Sequence, residues 1–136
     1  MEDLSKALEG QVEWARSFVF NNVGKVLARS KCNPTDSEVQ ELLKAYNDRD
    51  TCITNGLTVE GVDFEVHRFH PPLIYGRKAD NDKTEGICLA RGKNSSGDIM
   101  YLLVIYGMPY VSARIIPQQI EFFNANIGVL DKLYES

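Results

Sequence analysis

Apolar residues recur at helical spacing in three parts of this chain and predict three helices. Residues 3–16 carry an apolar side chain at every third or fourth position, which is typical of an amphipathic helix. Thr35 and Glu38 have the spacing of a capping box, so a second helix of three turns is expected to start there. In residues 116–134, apolar residues follow one another at intervals of four and three positions. This spacing predicts a C-terminal helix with Pro117 in its first turn.

Between these helices the apolar residues form short runs separated by polar or breaker-rich links, which indicates strands. The predicted strands span residues 17–20, 25–28, 56–59, 62–69, 73–78, 86–91 and 99–106. Links this short require antiparallel pairing, because a parallel crossover needs about a dozen residues or more. The last run is apolar throughout, so both of its faces should be covered. We therefore expect one α+β domain over residues 1–136, an antiparallel sheet flanked by the terminal helices.

Composition and charge exclude several classes of protein. The 136 residues are 43% hydrophobic and 25% charged, as in globular domains rather than disordered chains. The net charge of −4 argues against a general nucleic-acid-binding protein, and no apolar run is long enough to span a membrane. The first residues lack the apolar segment of a secretory signal. A monomeric, cytoplasmic protein is the expectation.

Residues that could carry catalysis or bind metal are sparse. Cys32, Cys52 and Cys88 lack metal-site spacing and are expected to be reduced packing residues. His67 and His70 alone do not make a metal site. The common nucleophile, nucleotide and zinc-protease motifs are missing from the sequence. The sequence leaves open a pairing of Cys52 or Cys88 with His67, but we expect no enzyme, no metal and no cofactor.

Several strings, in the same order, resemble the profilin family of small actin-monomer-binding proteins. FVF at residues 18–20 followed by GKVLAR at 24–29 is similar to the family's first hairpin, and YLLVIYG at 101–107 to its last strand. DRDTCITNGLT at residues 48–58 is similar to the family's DRSSFYVNGLT, and LIYGRK at 73–78 to LIFGKK. The resemblance implies a profilin-like antiparallel β-sheet, with the N- and C-terminal helices packed together on one face and shorter helices on the other.

Monomeric actin is the first partner that the resemblance implies, bound by the later strands and the start of the C-terminal helix. Val66 matches an apolar contact of the family, and Arg68 matches a basic contact expected on the same strand face, two residues along. The other residues carried over to this face are Arg77, Lys78, Ser112, Gln118, Gln119 and Phe122. Gln118 and Gln119 replace typical lysines, which implies weaker electrostatic steering of the partner. Phe122 replaces a common glutamate and is either an exposed apolar anchor or a partly buried helix residue.

Proline-rich segments are the second class of ligand that the resemblance implies. The family holds them in a cradle of aromatic rings. At the matching positions this chain has Leu4, Leu8, Leu27, Ile127 and Tyr134. Trp14, the sole tryptophan, is expected in the core rather than in the cradle. The loss of rings predicts that proline-rich ligands bind weakly or not at all.

Anionic phosphoinositides are the third partner that the resemblance implies, through Arg68, Arg77, Lys78 and Arg91. Neighbouring acidic residues favour a solvated face of mixed charge instead. Two functions stay open at this point. One is an actin-monomer-binding protein that regulates actin polymerisation, and the other is a diverged profilin-like module that binds lipid or protein and has lost strong actin binding.

Overall fold

The computed structural model describes residues 2–79 and 85–131. The described helices are α1 (Glu2–Glu9), α2 (Asp36–Leu43), α3 (Arg49–Asn55) and α4 (Ser112–Asn126). The described strands are β1 (Arg16–Asn21), β2 (Val26–Ser30), β3 (Leu57–Val59), β4 (Val62–His70), β5 (Leu73–Lys78), β6 (Glu85–Lys93), β7 (Ile99–Gly107) and β8 (Val129–Leu130). They form one antiparallel sheet in the order β2-β1-β7-β6-β5-β4-β3, and β8 pairs with the end of β6. None of these four helices is long and apolar enough to cross a bilayer.

The terminal helices cover one face of the sheet and the two short helices cover the other. Leu102 of the central strand β7 packs in a cluster with Leu8 of α1 and Phe123 of α4. The next residue, Leu103, packs in a second cluster with Leu42 of α2. Successive strand residues point to opposite faces, so the uniformly apolar β7 is buried on both sides. The expected profilin-like α+β arrangement is confirmed.

Side-chain caps fix the starts of the two short helices. The capping box of α2 is present: the backbone N–H of Glu38 donates to the Thr35 hydroxyl, and the Glu38 carboxylate accepts from the Thr35 N–H. The sequence pattern does not predict α3, because this segment has little apolar periodicity. Its N-cap is Asp48, whose carboxylate accepts from the backbone N–H of Thr51 at 2.9 Å.

The N-terminal helix is shorter than predicted. It ends at Glu9, and residues 10–15 form turns that lead into β1. Val12, which fits the apolar spacing, is 89% exposed. Gly10 follows the last helical residue and is the signal in the sequence that marks this end.

The C-terminal helix begins and ends earlier than predicted. Pro117 is the sixth residue of α4 rather than a residue of its first turn. The buried residues of α4 are Ile115, Gln119, Phe122 and Phe123. Phe123 belongs to the predicted stripe, whereas Ile116 and Ile120 of that stripe are half-buried. Leu130 fits the helical spacing but lies in β8. The predicted last turn around Tyr134 lies outside the described residues.

Candidate functional site

The candidate site lies on the face of the sheet that carries α1 and α4. Arg68 of β4 is directly opposite Tyr75 of β5, so the two side chains share this face. Tyr75 packs against the core cluster that contains Phe123 of α4. Arg77, two residues further along β5, faces the same way and lies opposite Glu65. Among the described residues, the site therefore has two arginines, an aromatic ring and one acidic neighbour.

A β-bulge in β4 separates two residues that were expected to lie together. Val66 pairs with Gly76, but the next paired residue is Arg68, which leaves His67 as the extra residue in the strand. Val66 therefore points into the cluster beneath the short helices and is 6% exposed. The prediction that Val66 and Arg68 share a strand face is wrong, because the extra residue turns Arg68 to the other side.

Tyr106 of β7 connects Arg77 to the start of α4. The Arg77 guanidinium lies 6.0 Å from the centre of the Tyr106 ring, within the range of a cation–π contact. The Ser112 side chain lies close enough to the Tyr106 phenol to lower its pKa. Burial raises the pKa of Tyr106, and the positive charge of Arg77 opposes this rise. Two predicted site residues, Arg77 and Ser112, thus both lie against Tyr106, which was not a predicted site residue.

Gly86 makes room for this connection. The registers of β5, β6 and β7 place Arg77, Gly86 and Tyr106 side by side on one face. A Cβ atom at Gly86 would overlap with the Tyr106 ring. The glycine therefore lets the ring lie across β6 and reach Arg77. We call Arg68, Tyr75, Arg77 and Ser112 the candidate surface.

Gly86→Ala should lower the free energy of unfolding by about 1–3 kcal/mol, because the buried Tyr106 ring must move to accommodate the methyl group. Urea denaturation measures this loss. Gly107→Ala is the matched control, since a Cβ atom at this β7 glycine meets no heavy atom of residues 2–79 and 85–131 within 4 Å. Equal stability of the two variants would contradict the assigned role of Gly86.

Lys78 does not belong to the candidate surface. It follows Arg77 on β5 and is opposite Phe64, which is buried beneath the short helices. Neighbouring strand residues point to opposite faces, so Lys78 lies on the α2 and α3 side of the sheet. The expectation that Arg68 and Lys78 form one cationic face is wrong.

Gln118 lies on the far flank of α4. Its side-chain oxygen accepts from the Trp14 indole at 3.0 Å, and its amide donates to Glu13 at 2.8 Å. Arg114, one turn earlier on this flank, donates twice to the Glu13 carboxylate and lowers the pKa of Glu13 to about 2. Glu13 and Trp14 lead into β1, and β1 and β5 lie on opposite sides of β7 in the sheet. Gln118 therefore fixes the segment after α1 rather than extending the candidate surface.

Gln119 and Phe122 are core residues rather than surface contacts. Gln119 is fully buried, and its amide donates to the carbonyls of Cys88 and Leu102, each at 3.0 Å. Phe122 is 4% exposed and packs against the Trp14 ring at 5.3 Å between centroids. Of the two alternatives left open for Phe122, burial is the one observed. Trp14 is 5% exposed and lies in the core, as expected.

The positions matching the proline-rich cradle carry aliphatic core residues. Leu4 and Leu8 are buried on α1, while Leu27 and Ile127 are half-buried against the same cluster. Within residues 2–79 and 85–131 these positions present no aromatic ring. Tyr134, the one aromatic candidate, lies outside the described residues.

The four residues expected to bind phosphoinositide do not form one patch. Arg91 lies near the other end of β5 from Arg77, because its N–H donates to the carbonyl of Pro72. Its guanidinium bonds Asp131 at 2.6 Å and lies 4.4 Å from the centre of the Tyr46 ring. Burial opposes the charge of Arg91, but the bond to Asp131 outweighs it and raises the Arg91 pKa. Arg68 and Arg77 share the face that carries α1 and α4, whereas Lys78 and Arg91 lie on the other face, near opposite ends of β5.

The cysteines and histidines do not form a catalytic pair among the described residues. Cys32, Cys52 and Cys88 are buried free thiols, as expected. Cys88 is completely buried, and burial raises the pKa of its thiol. His67 is exposed at the bulge, where its ring nitrogen lies 3.2 Å from the Glu65 carboxylate. The pairing that the sequence left open is therefore not formed.

Comparison with known proteins identifies the family. The Profilin family model matches residues 6–109. Schizosaccharomyces pombe profilin superposes with a TM-score of 0.70 at 20% identity, covering 90% of this chain and 94% of that chain. Acanthamoeba castellanii profilin IA gives a TM-score of 0.70 at 20% identity, covering 91% and 95%. A comparison with curated protein sequences gives no match.

A third similar fold comes from a complex. LokiProfilin1, in its crystal structure with rabbit actin, superposes with a TM-score of 0.66 at 10% identity, covering 91% of this chain and 88% of that chain. Identities this low establish the common fold, whereas the family model matches the sequence over most of its length. The chain belongs to the profilin family.

Proposed function

We propose that this protein binds actin monomers and regulates their polymerisation through the candidate surface. The observation that carries the proposal is the junction at Tyr106, which joins Arg77 of β5 to Ser112 of α4 on the face that also bears Arg68. Membership of the profilin family and the fold shared with LokiProfilin1, whose crystal structure contains rabbit actin, support it. Such a function would place the protein in the cytoplasm.

The proposed binding is electrostatically weaker than the sequence resemblance implied. Lys78 lies on the other face, and Val66, Gln119 and Phe122 are buried. These findings favour the second candidate, a profilin-like module that has lost strong actin binding. Weak or absent binding of proline-rich ligands follows from the aliphatic cradle positions. Anionic phosphoinositides would meet two arginines on this surface, next to Glu65.

Polymerisation of pyrene-labelled actin distinguishes the two candidates. The proposal expects micromolar protein to slow spontaneous assembly. Arg68→Glu should weaken monomer affinity about tenfold, because the reversed charge repels an acidic partner surface. Because Arg68 is exposed on β4, the Arg68→Glu protein should have the same melting temperature as the unmodified protein.

Arg29→Glu is the matched control for this charge reversal. Arg29 is exposed on β2, at the opposite edge of the sheet from β4 and β3. The affinity of the Arg29→Glu protein for actin should remain within about twofold of that of the unmodified protein. No effect of the unmodified protein on assembly would support the diverged module, and equal affinities of the two variants would show that the candidate surface is assigned wrongly.

A further inference from the structure

A groove opens on the other face of the molecule, between α2, α3 and β3. Its volume is about 500 Å³, within the range of about 300–1,000 Å³ that is typical of ligand sites. Leu42, Ala45, Cys52 and Leu57 are buried residues that provide its apolar floor. The candidate surface does not contribute to it, because these residues belong to the core cluster on the opposite side of the sheet.

Hydrogen bonds to the Glu38 side chain fix the walls of the groove. The Glu38 carboxylate accepts from the backbone N–H groups of Thr35, Glu60 and Gly61 at 2.8–3.0 Å. Burial opposes the charge of Glu38, but these bonds outweigh it and lower its pKa, so the carboxylate is ionised at neutral pH. The bonds tie α2 to the turn between β3 and β4. A groove fixed in this way loses little conformational freedom when a ligand binds.

The groove lies in an acidic part of the chain. Its lining contains two acidic residues, Glu38 and Glu41, and one basic residue, Lys44. Residues 35–63 include seven acidic and two basic residues, which gives this segment a charge of −5. The two basic residues, Lys44 and Arg49, each pair with an acidic neighbour. Glu41 lines the rim, and its pairing with Lys44 at 3.1 Å is largely exposed, so an incoming cation can replace Lys44 at little cost. An apolar floor inside an acidic rim is complementary to an apolar side chain flanked by positive charges.

We propose that this groove binds a short basic peptide segment of a partner protein. One aliphatic side chain of the segment enters the space above Leu42, Cys52 and Leu57, and flanking lysines or arginines approach Glu38 and Glu41. The site is separate from the actin-binding proposal and does not depend on it. A partner bound here would leave the candidate surface accessible.

Nuclear magnetic resonance titration of the full chain tests the proposal. The probe is a synthetic hexapeptide with two central leucines flanked on each side by two lysines. Shift changes are expected at the backbone amides of Leu42, Cys52 and Leu57, and affinity should fall as salt is added. Matched peptides with serines in place of the leucines, or glutamates in place of the lysines, should bind at least about fivefold more weakly.

Charge reversal on the rim completes the test. Glu41→Lys should weaken hexapeptide binding about fivefold. Glu121→Lys, at an exposed position of α4, is the matched control and should change it less than about twofold. Absence of binding, shift changes spread over the whole surface, equal binding of the serine peptide or equal effects of the two substitutions would each overturn the proposal.

Discussion

Replacing Gly76 with alanine should lower the free energy of unfolding by about 3 kcal/mol, at the upper end of overpacking effects. A Cβ atom at Gly76 would overlap with the backbone carbonyl oxygen of Glu65 on β4. A backbone atom inside a sheet cannot rotate away as the end of a side chain can. The strain is relieved only if β4 and β5 move apart, which breaks the pairing of Gly76 with Val66.

The same substitution should also impair the candidate surface. Arg68 lies on β4 just beyond the bulge, and Arg77 follows Gly76 on β5, so a change in the β4–β5 pairing alters the spacing of the two arginines. Urea denaturation measures the stability, and titration with monomeric actin measures the affinity. Gly107→Ala, at the end of β7, where a Cβ atom meets none of the described residues, should change neither. A Gly76→Ala protein as stable as this control would show that the sheet tolerates a side chain there.

Gly76 lies in one of the strings that resemble the profilin family. The string LIYGRK includes this glycine, but only the structure gives its physical reason, the close approach of the β4 backbone. The strands, by contrast, were predictable from the residues themselves, because short apolar runs between breakers specify antiparallel pairing locally. β5 was predicted with both ends correct, at Leu73 and Lys78.

The ends of the terminal helices were harder to predict because apolar spacing alone does not distinguish a helix from a following strand. Ile127 and Leu130 continue the helical spacing, yet the chain turns at Gly128, where a Cβ atom would overlap with the carbonyl oxygen of Lys93. Glycine after the last periodic residue is a helix-end signal, so Gly128 could have located the end. The helix α3 is marked at its ends by the N-cap Asp48 and the C-cap Gly56, whose φ is 69°, but little apolar periodicity between them indicates a helix.

The site was only partly predictable, because two of its features arise from pairing between distant strands. The bulge at His67 reverses the faces of all later β4 residues, and period-two alternation cannot reveal an extra residue. The Tyr106 junction needs Gly86 from a neighbouring strand. Arg68, Arg77 and Ser112 were found through resemblance, whereas their grouping required the register of the sheet.

Replacing the buried Gln119 with glutamate should destabilise the protein by about 3–5 kcal/mol at neutral pH. The Gln119 amide donates to two strand carbonyls, those of Cys88 and Leu102, and its side-chain oxygen has no donor among the described residues. An ionised carboxylate cannot donate, so it would face two carbonyl oxygens without water. Burial would therefore raise the pKa of the new carboxyl group well above the ordinary value of about 4.3.

This raised pKa determines how the stability of Gln119→Glu depends on pH. Below the ordinary pKa the carboxyl group is protonated in both states, and its hydroxyl can donate to one of the carbonyls of Cys88 and Leu102. As the pH rises from the ordinary pKa towards the raised one, only the unfolded state releases its proton, so stability falls by about 1.4 kcal/mol per pH unit. Urea denaturation at about pH 5 and about pH 8 measures this difference.

Gln40→Glu is the control, because Gln40 is exposed and donates to a single carbonyl, that of Val23. The Gln40→Glu protein should lose less than about 1 kcal/mol of stability at either pH. A Gln119→Glu protein that loses the same stability at both pH values would show that water reaches this position and that Gln119 is not shielded from solvent.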